Sequence, residues 1–107
     1  MIKLSVMQFQ ELSVSDKFKQ IHAIAKGRVQ RVGYRAFCVE NATELGLIGY
    51  SQNLTNGDVL IVAEGPESVL REYVTLLRQG PRMSKVKEVE FRWEEAQQEF
   101  TGFEIKL

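Results

Sequence analysis

From residue 20 onward, the spacing of apolar positions switches between a period of two and a period near 3.6. Residues 21–28 read as a strand, with Ala23 and Ala25 narrow enough for close packing against a neighbouring layer. Cys38, Ala42 and Leu45 then fall at helical spacing over 35–45, and Gly46 follows as a C-terminal stop. Residues 47–54 predict a second strand and 58–64 its return, with Asn56-Gly57 supplying the positive backbone angles of a tight hairpin turn. Gly65-Pro66 opens a second helix with proline at its first position; Leu70, Tyr73, Val74 and Leu77 form its apolar face, and Gly80-Pro81 closes it. Val89, Phe91 and Trp93 alternate with charged residues, as in a strand exposed on one face. After a polar, glutamate-rich link, Phe103, Ile105 and Leu107 alternate again.

The order is β-α-β-β-α-β with a short closing strand. It predicts an α+β fold of the ferredoxin-like, split βαβ kind: an antiparallel sheet with two helices on one face. Residues 1–19 stand outside this unit as an N-terminal extension before a domain over 20–107. There Ile2, Leu4 and Val6 alternate with Lys3 and Ser5, which suits either an extra edge strand or a mobile tail.

Composition narrows the function classes. The 107 residues are 44% apolar and 26% charged, enough for one soluble domain with a single core. Fourteen basic residues balance fourteen acidic ones, so no overall field recruits nucleic acid or an anionic membrane. The central strands offer His22 and Tyr50 but no aromatic cluster for stacking bases, which counts further against RNA binding. Cys38 is the only cysteine and His22 the only histidine, so a disulfide, a multi-cysteine metal site and a histidine-based triad all lack parts. No metal or cofactor is expected. Cys38 reads as a small buried hydrophobe. With no signal-peptide pattern and no apolar run of membrane-spanning length, a cytoplasmic monomer is the expectation.

Charge is nevertheless focused. Lys26, Arg28, Arg31 and Arg35 fall within residues 26–35, which contain no acid. This segment, Gly27-Arg28-Val29-Gln30-Arg31-Val32-Gly33-Tyr34-Arg35, joins the first strand to the first helix. A glycine-bearing strand-to-helix turn can aim several backbone N–H groups at one point, where the positive end of the helix dipole also acts. Arginine adds a planar, permanently charged fork that fits phosphate oxygens. The segment therefore reads as an anion cradle, most simply for a phosphoryl group.

With its partner Gly49-Tyr50-Ser51-Gln52-Asn53-Leu54-Thr55-Asn56-Gly57-Asp58-Val59, this segment resembles the two signatures of the acylphosphatases. Gly65, the Gly80-Pro81 pair and the closing Phe100-Thr101-Gly102-Phe103-Glu104-Ile105 extend the resemblance in order and spacing. It implies hydrolysis of small-molecule acyl phosphates to a carboxylate and inorganic phosphate, without metal or cofactor. It further implies that Arg35 binds the substrate phosphate, that Asn53 holds the attacking water, and that Gln30, Arg31, Val32, Gly33 and Tyr34 form the phosphate loop, mainly through backbone amides. Tyr34, where the family usually has phenylalanine, is expected in the core. Gln30 could contribute its amide to the site or a structural side-chain bond.

Arg31 departs from the pattern, standing where the signature has glycine. If that position takes a positive φ, arginine costs on the order of 1 kcal/mol. If it does not, Arg31 adds a second cation at the loop rim and holds phosphate more tightly. A second reading follows from this residue: a binding module for phosphate or carbamoyl phosphate with little turnover.

Overall fold

The computed structural model describes residues 16–107. The alternation proposed for Ile2, Leu4 and Val6 lies outside the described residues. Strand β1 (Phe18–Arg28) leads into helix α1 (Tyr34–Glu44), followed by β2 (Ile48–Asn53), β3 (Val59–Pro66), helix α2 (Glu67–Gln79), β4 (Lys85–Glu94) and β5 (Phe103–Lys106). The strands form one sheet in the order β4-β1-β3-β2-β5.

The sheet is mixed, where the sequence reading expected an antiparallel one: β5 runs parallel to β2, with Ser51 opposite Ile105. Topology explains the correction. The strands β4, β1, β3 and β2 alternate in direction, so β4 ends at the same end of the sheet at which β2 begins. The link after β4 crosses at that end, and the chain can then enter β5 only alongside β2 and in the same direction.

The core lies between the helices and one sheet face. Ile21, Ala23 and Ala25 of β1, with Val59, Ile61 and Ala63 of β3, are fully buried there, and Cys38, Ala42, Leu70, Tyr73, Val74 and Leu77 meet them from the helices. Burying each of the leucine and isoleucine side chains contributes about 2 kcal/mol. The helices are also tied to each other. Tyr34 Oη–H of α1 donates to the Leu77 carbonyl at 2.8 Å, and Tyr73 Oη–H of α2 donates to the Cys38 carbonyl at 2.8 Å.

Two local expectations change. Pro66 is the cap before α2 rather than its first helical residue, because its ψ of 142° is still extended. In the β2–β3 hairpin only Gly57 takes a positive φ, at 97°; Asn56 does not. The turn instead closes with the Gly57 N–H on the Leu54 carbonyl at 3.2 Å and the Leu54 N–H on the Asp58 carbonyl at 2.9 Å.

On the other sheet face, one carboxylate is fully buried. Glu64 accepts hydrogen bonds from Gln20 Nε2 at 2.6 Å and from the backbone N–H groups of Gln97 and Gln98 at 2.6 and 3.0 Å. His22 Nε2 bonds to Gln20 Oε1 at 2.8 Å behind it. Three donors compensate the loss of water around the charge. They also hold down the link to β5, as does the edge-on contact of Phe100 with Tyr50.

Candidate active site

The proposed cradle forms at the end of the sheet opposite Glu64, where β1 runs out. A register shift at Lys26/Gly27 in the β1–β4 pairing turns the strand as it leaves the sheet. Only glycine fits at 27: a Cβ there would collide with the Lys85 carbonyl and the Lys87 backbone nitrogen. Val29 then anchors the chain in the core and Val32 packs at its margin, so residues 30–33 are held from both sides.

Within the loop, Arg31 has φ 63° and Gly33 φ 77°. Gly33 is the cap residue of α1, and open space surrounds its missing side chain, so its role is the backbone angle itself. The Arg31 position is left-handed, so arginine costs on the order of 1 kcal/mol there relative to glycine, yet its charge remains at the exposed loop rim. Its side chain is exposed and makes no hydrogen bond or ion pair among the described residues.

Helix α1 begins directly beyond this loop. Its first internal bond runs from the Phe37 N–H to the Gly33 carbonyl at 3.0 Å. The N–H groups of Tyr34, Arg35 and Ala36 therefore have no partner within the helix, no side chain caps them, and no acid stands in the first turn. Tyr34 adds only its backbone here, since its ring is buried and its hydroxyl bonded to Leu77. Arg35 is half-buried in the same turn and forms no ion pair among the described residues.

Asn53 closes β2, and its neighbours on either side are tied to the cradle. Two side chains make these ties. Gln30 Nε2 donates to the Leu54 carbonyl at 2.7 Å and to the Asp58 carbonyl at 2.8 Å, tying the cradle to the hairpin directly after Asn53. Ser51 Oγ–H donates to the Arg35 carbonyl at 3.3 Å, tying the start of α1 to the strand two residues before Asn53. Ser51 and Asn53 share the helix-facing side of β2, because alternate strand residues do. Gln30 thus makes a structural side-chain bond, one of the two roles left open for it. The role of Ser51 was missed by sequence reasoning; its only signal was a hydroxyl on the buried face of a strand.

The Asn53 side-chain oxygen is itself unengaged: Oδ1 is buried and has no hydrogen-bond partner among the described residues. A buried carbonyl of this kind normally finds one. That oxygen thus keeps hydrogen-bonding capacity unused among the described residues, at the end of a strand pinned to the cradle on both sides.

A family model, described as Acylphosphatase, matches residues 21–105. The chain belongs to the acylphosphatase family. An acylphosphatase of Thermus thermophilus is 53% identical over 73 residues, covering 68% of this chain and 83% of that one. One from Dehalococcoides mccartyi is 48% identical over 87 residues, covering 80% and 96%. The crystal structure of acylphosphatase from Bacillus subtilis superposes with a TM-score of 0.80 at 34% identity, over 83% of this chain and 99% of that one. The protein is accordingly an enzyme that hydrolyses acyl phosphates, and the reading as a binding module without turnover is not favoured. Its fold is the ferredoxin-like one of this family. Among the described residues, no helix is long and apolar enough to cross a membrane.

Proposed function

We propose that hydrolysis proceeds by attack of water on phosphorus, with the phosphoryl group held by Arg35 and the amides of residues 30–34, and the water oriented by Asn53. The observation that carries this reading is the pinning of Asn53 between loop and helix, by Gln30 on one side and Ser51 on the other.

The step balances without an enzyme acid. The water oxygen bonds to phosphorus as the bond from phosphorus to the acyl oxygen breaks. The carboxylate leaves with the electron pair, and a water proton passes to a phosphoryl oxygen. A carboxylate, with a pKa of about 4, is a weak enough base to depart unprotonated. Catalysis then consists of placing the water in line and stabilising charge on the phosphoryl oxygens. The unpaired N–H groups at the start of α1 and the Arg35 guanidinium suit the second task. The unengaged side-chain oxygen of Asn53 suits the first.

With benzoyl phosphate as substrate and EDTA present, Arg35→Ala lowers kcat/KM by roughly a thousandfold. Asn53→Ala lowers kcat by roughly a hundredfold and leaves inhibition by inorganic phosphate in place. Normal turnover in Asn53→Ala overturns the role given to that residue.

A further inference from the structure

Resting on that reading, we propose that Arg31 selects acyl phosphates whose acyl group carries a second negative charge, such as a carboxylate or a further phosphate. A phosphate-binding loop uses the backbone N–H at this position, and glycine supplies the same N–H without strain. Arginine is held here in the left-handed region, at φ 63°, so its side chain is an addition to the cradle and not part of its framework.

Nothing among the described residues uses that guanidinium. Arg31 is exposed and unpaired among the described residues, and residues 26–35 around it contain no acid. Asp58 is brought to the loop by the Gln30 bond to its carbonyl, yet its carboxylate, which accepts from Asn56 Nδ2 at 3.2 Å, forms no ion pair with Arg31. The phosphoryl end of the substrate already has Arg35 and the loop amides. That end is common to all acyl phosphates, so a further cation at the rim can discriminate only through the acyl end. Neutral acyl groups gain nothing from it. An anionic one gains an opposite charge at a solvent-exposed distance, which is worth a modest and salt-sensitive factor.

The test compares 4-carboxybenzoyl phosphate with benzoyl phosphate, two rigid substrates that differ by one charge. The readout is the ratio of their kcat/KM values, which cancels any change in loop shape common to both. Arg31→Asn removes the charge with a residue that tolerates the left-handed region and lowers the ratio roughly fivefold. Arg31→Lys keeps the charge and holds the ratio within about twofold of the original. Added sodium chloride lowers the ratio in the native protein and leaves it flat in Arg31→Asn. An Arg31→Asn ratio within about twofold of the native value overturns the proposal, as does an Arg31→Lys ratio that falls with it. Failure of the native protein to hydrolyse either substrate instead overturns the hydrolytic reading, and this inference with it.

Discussion

The two helices begin in opposite ways. At the start of α2 the chain satisfies itself: the Glu67 N–H donates to the Lys17 carbonyl at 2.9 Å, and Asp16 accepts from the Ser68 N–H at 2.8 Å and the Ser68 hydroxyl at 2.9 Å. Glu67 adds an acid to the first turn, paired with Lys19 and Arg71. At the start of α1 no side chain caps the helix, no acid stands in the first turn, and that turn carries Arg35. A cation at the positive end of a helix is unfavourable unless an anion joins it. One N-terminus is finished within the fold. The other is left open among the described residues, as suits the place proposed for the phosphoryl group.

Alkali breaks the pairing of the helices most severely. Burial pushes the Cys38 thiol from 9.0 up to about 12 and also drives the Tyr34 and Tyr73 hydroxyls upward. The unfolded chain releases the thiol proton near its ordinary value while the folded chain retains it. Stability is therefore intact below pH 9 and is lost as pH rises toward 12, by about 4 kcal/mol from the thiol alone. Urea titrations from pH 7 to 11 will trace this decline, and a flat profile above pH 9 contradicts it.

Next in size is an internal anion where the ligand should sit. Ala36→Glu, at an exposed position in the first turn of α1, lowers kcat/KM for benzoyl phosphate roughly a hundredfold, about 2.7 kcal/mol in activation free energy. The melting temperature does not fall, since an acid suits that turn. Unimpaired activity would show that the α1 terminus does not face the substrate.

Smaller still are the hydroxyl cross-ties. Tyr34→Phe strips a buried side-chain donor from a carbonyl in the last turn of α2 and costs about 1.5 kcal/mol in urea unfolding. Tyr73→Phe costs less, because the Cys38 carbonyl keeps its place in the helical ladder. The reverse order would refute this distinction. Smallest is Asp16→Ala, which removes the outside cap of α2 for about 1 kcal/mol and leaves kcat/KM unchanged. A loss of activity there would mean that the two termini are not independent.

Much of this was legible in the linear pattern, because the switch between periods of two and 3.6 marks each element and the Gly27–Arg35 segment concentrates charge at one junction. Asn53 was legible only through its signature, since an asparagine before a turn is otherwise ordinary. What escaped depends on contacts between distant segments. Gln30 meets Leu54 and Asp58 across more than twenty residues, and only the folded chain shows that its side chain is a structural tie. The parallel pairing of β5 follows from the end at which the link crosses the sheet, which no local pattern encodes. Glu64 sits on the sheet face away from the helices, and its burial depends on the link from β4 packed over it, a contact across more than thirty residues.

The Glu64 clamp has a consequence for how the protein comes into being. Two of the three donors to this buried carboxylate lie 33 and 34 residues farther along the chain. A nascent polypeptide that has emerged only as far as β4 has the strand bearing Glu64 and both of its neighbours, but only one of the three donors, Gln20. Closing the sheet then means leaving a carboxylate dry or keeping that corner wet. The native arrangement therefore waits for Gln97 and Gln98, and the final, shortest strand follows them into place as the step that completes the domain.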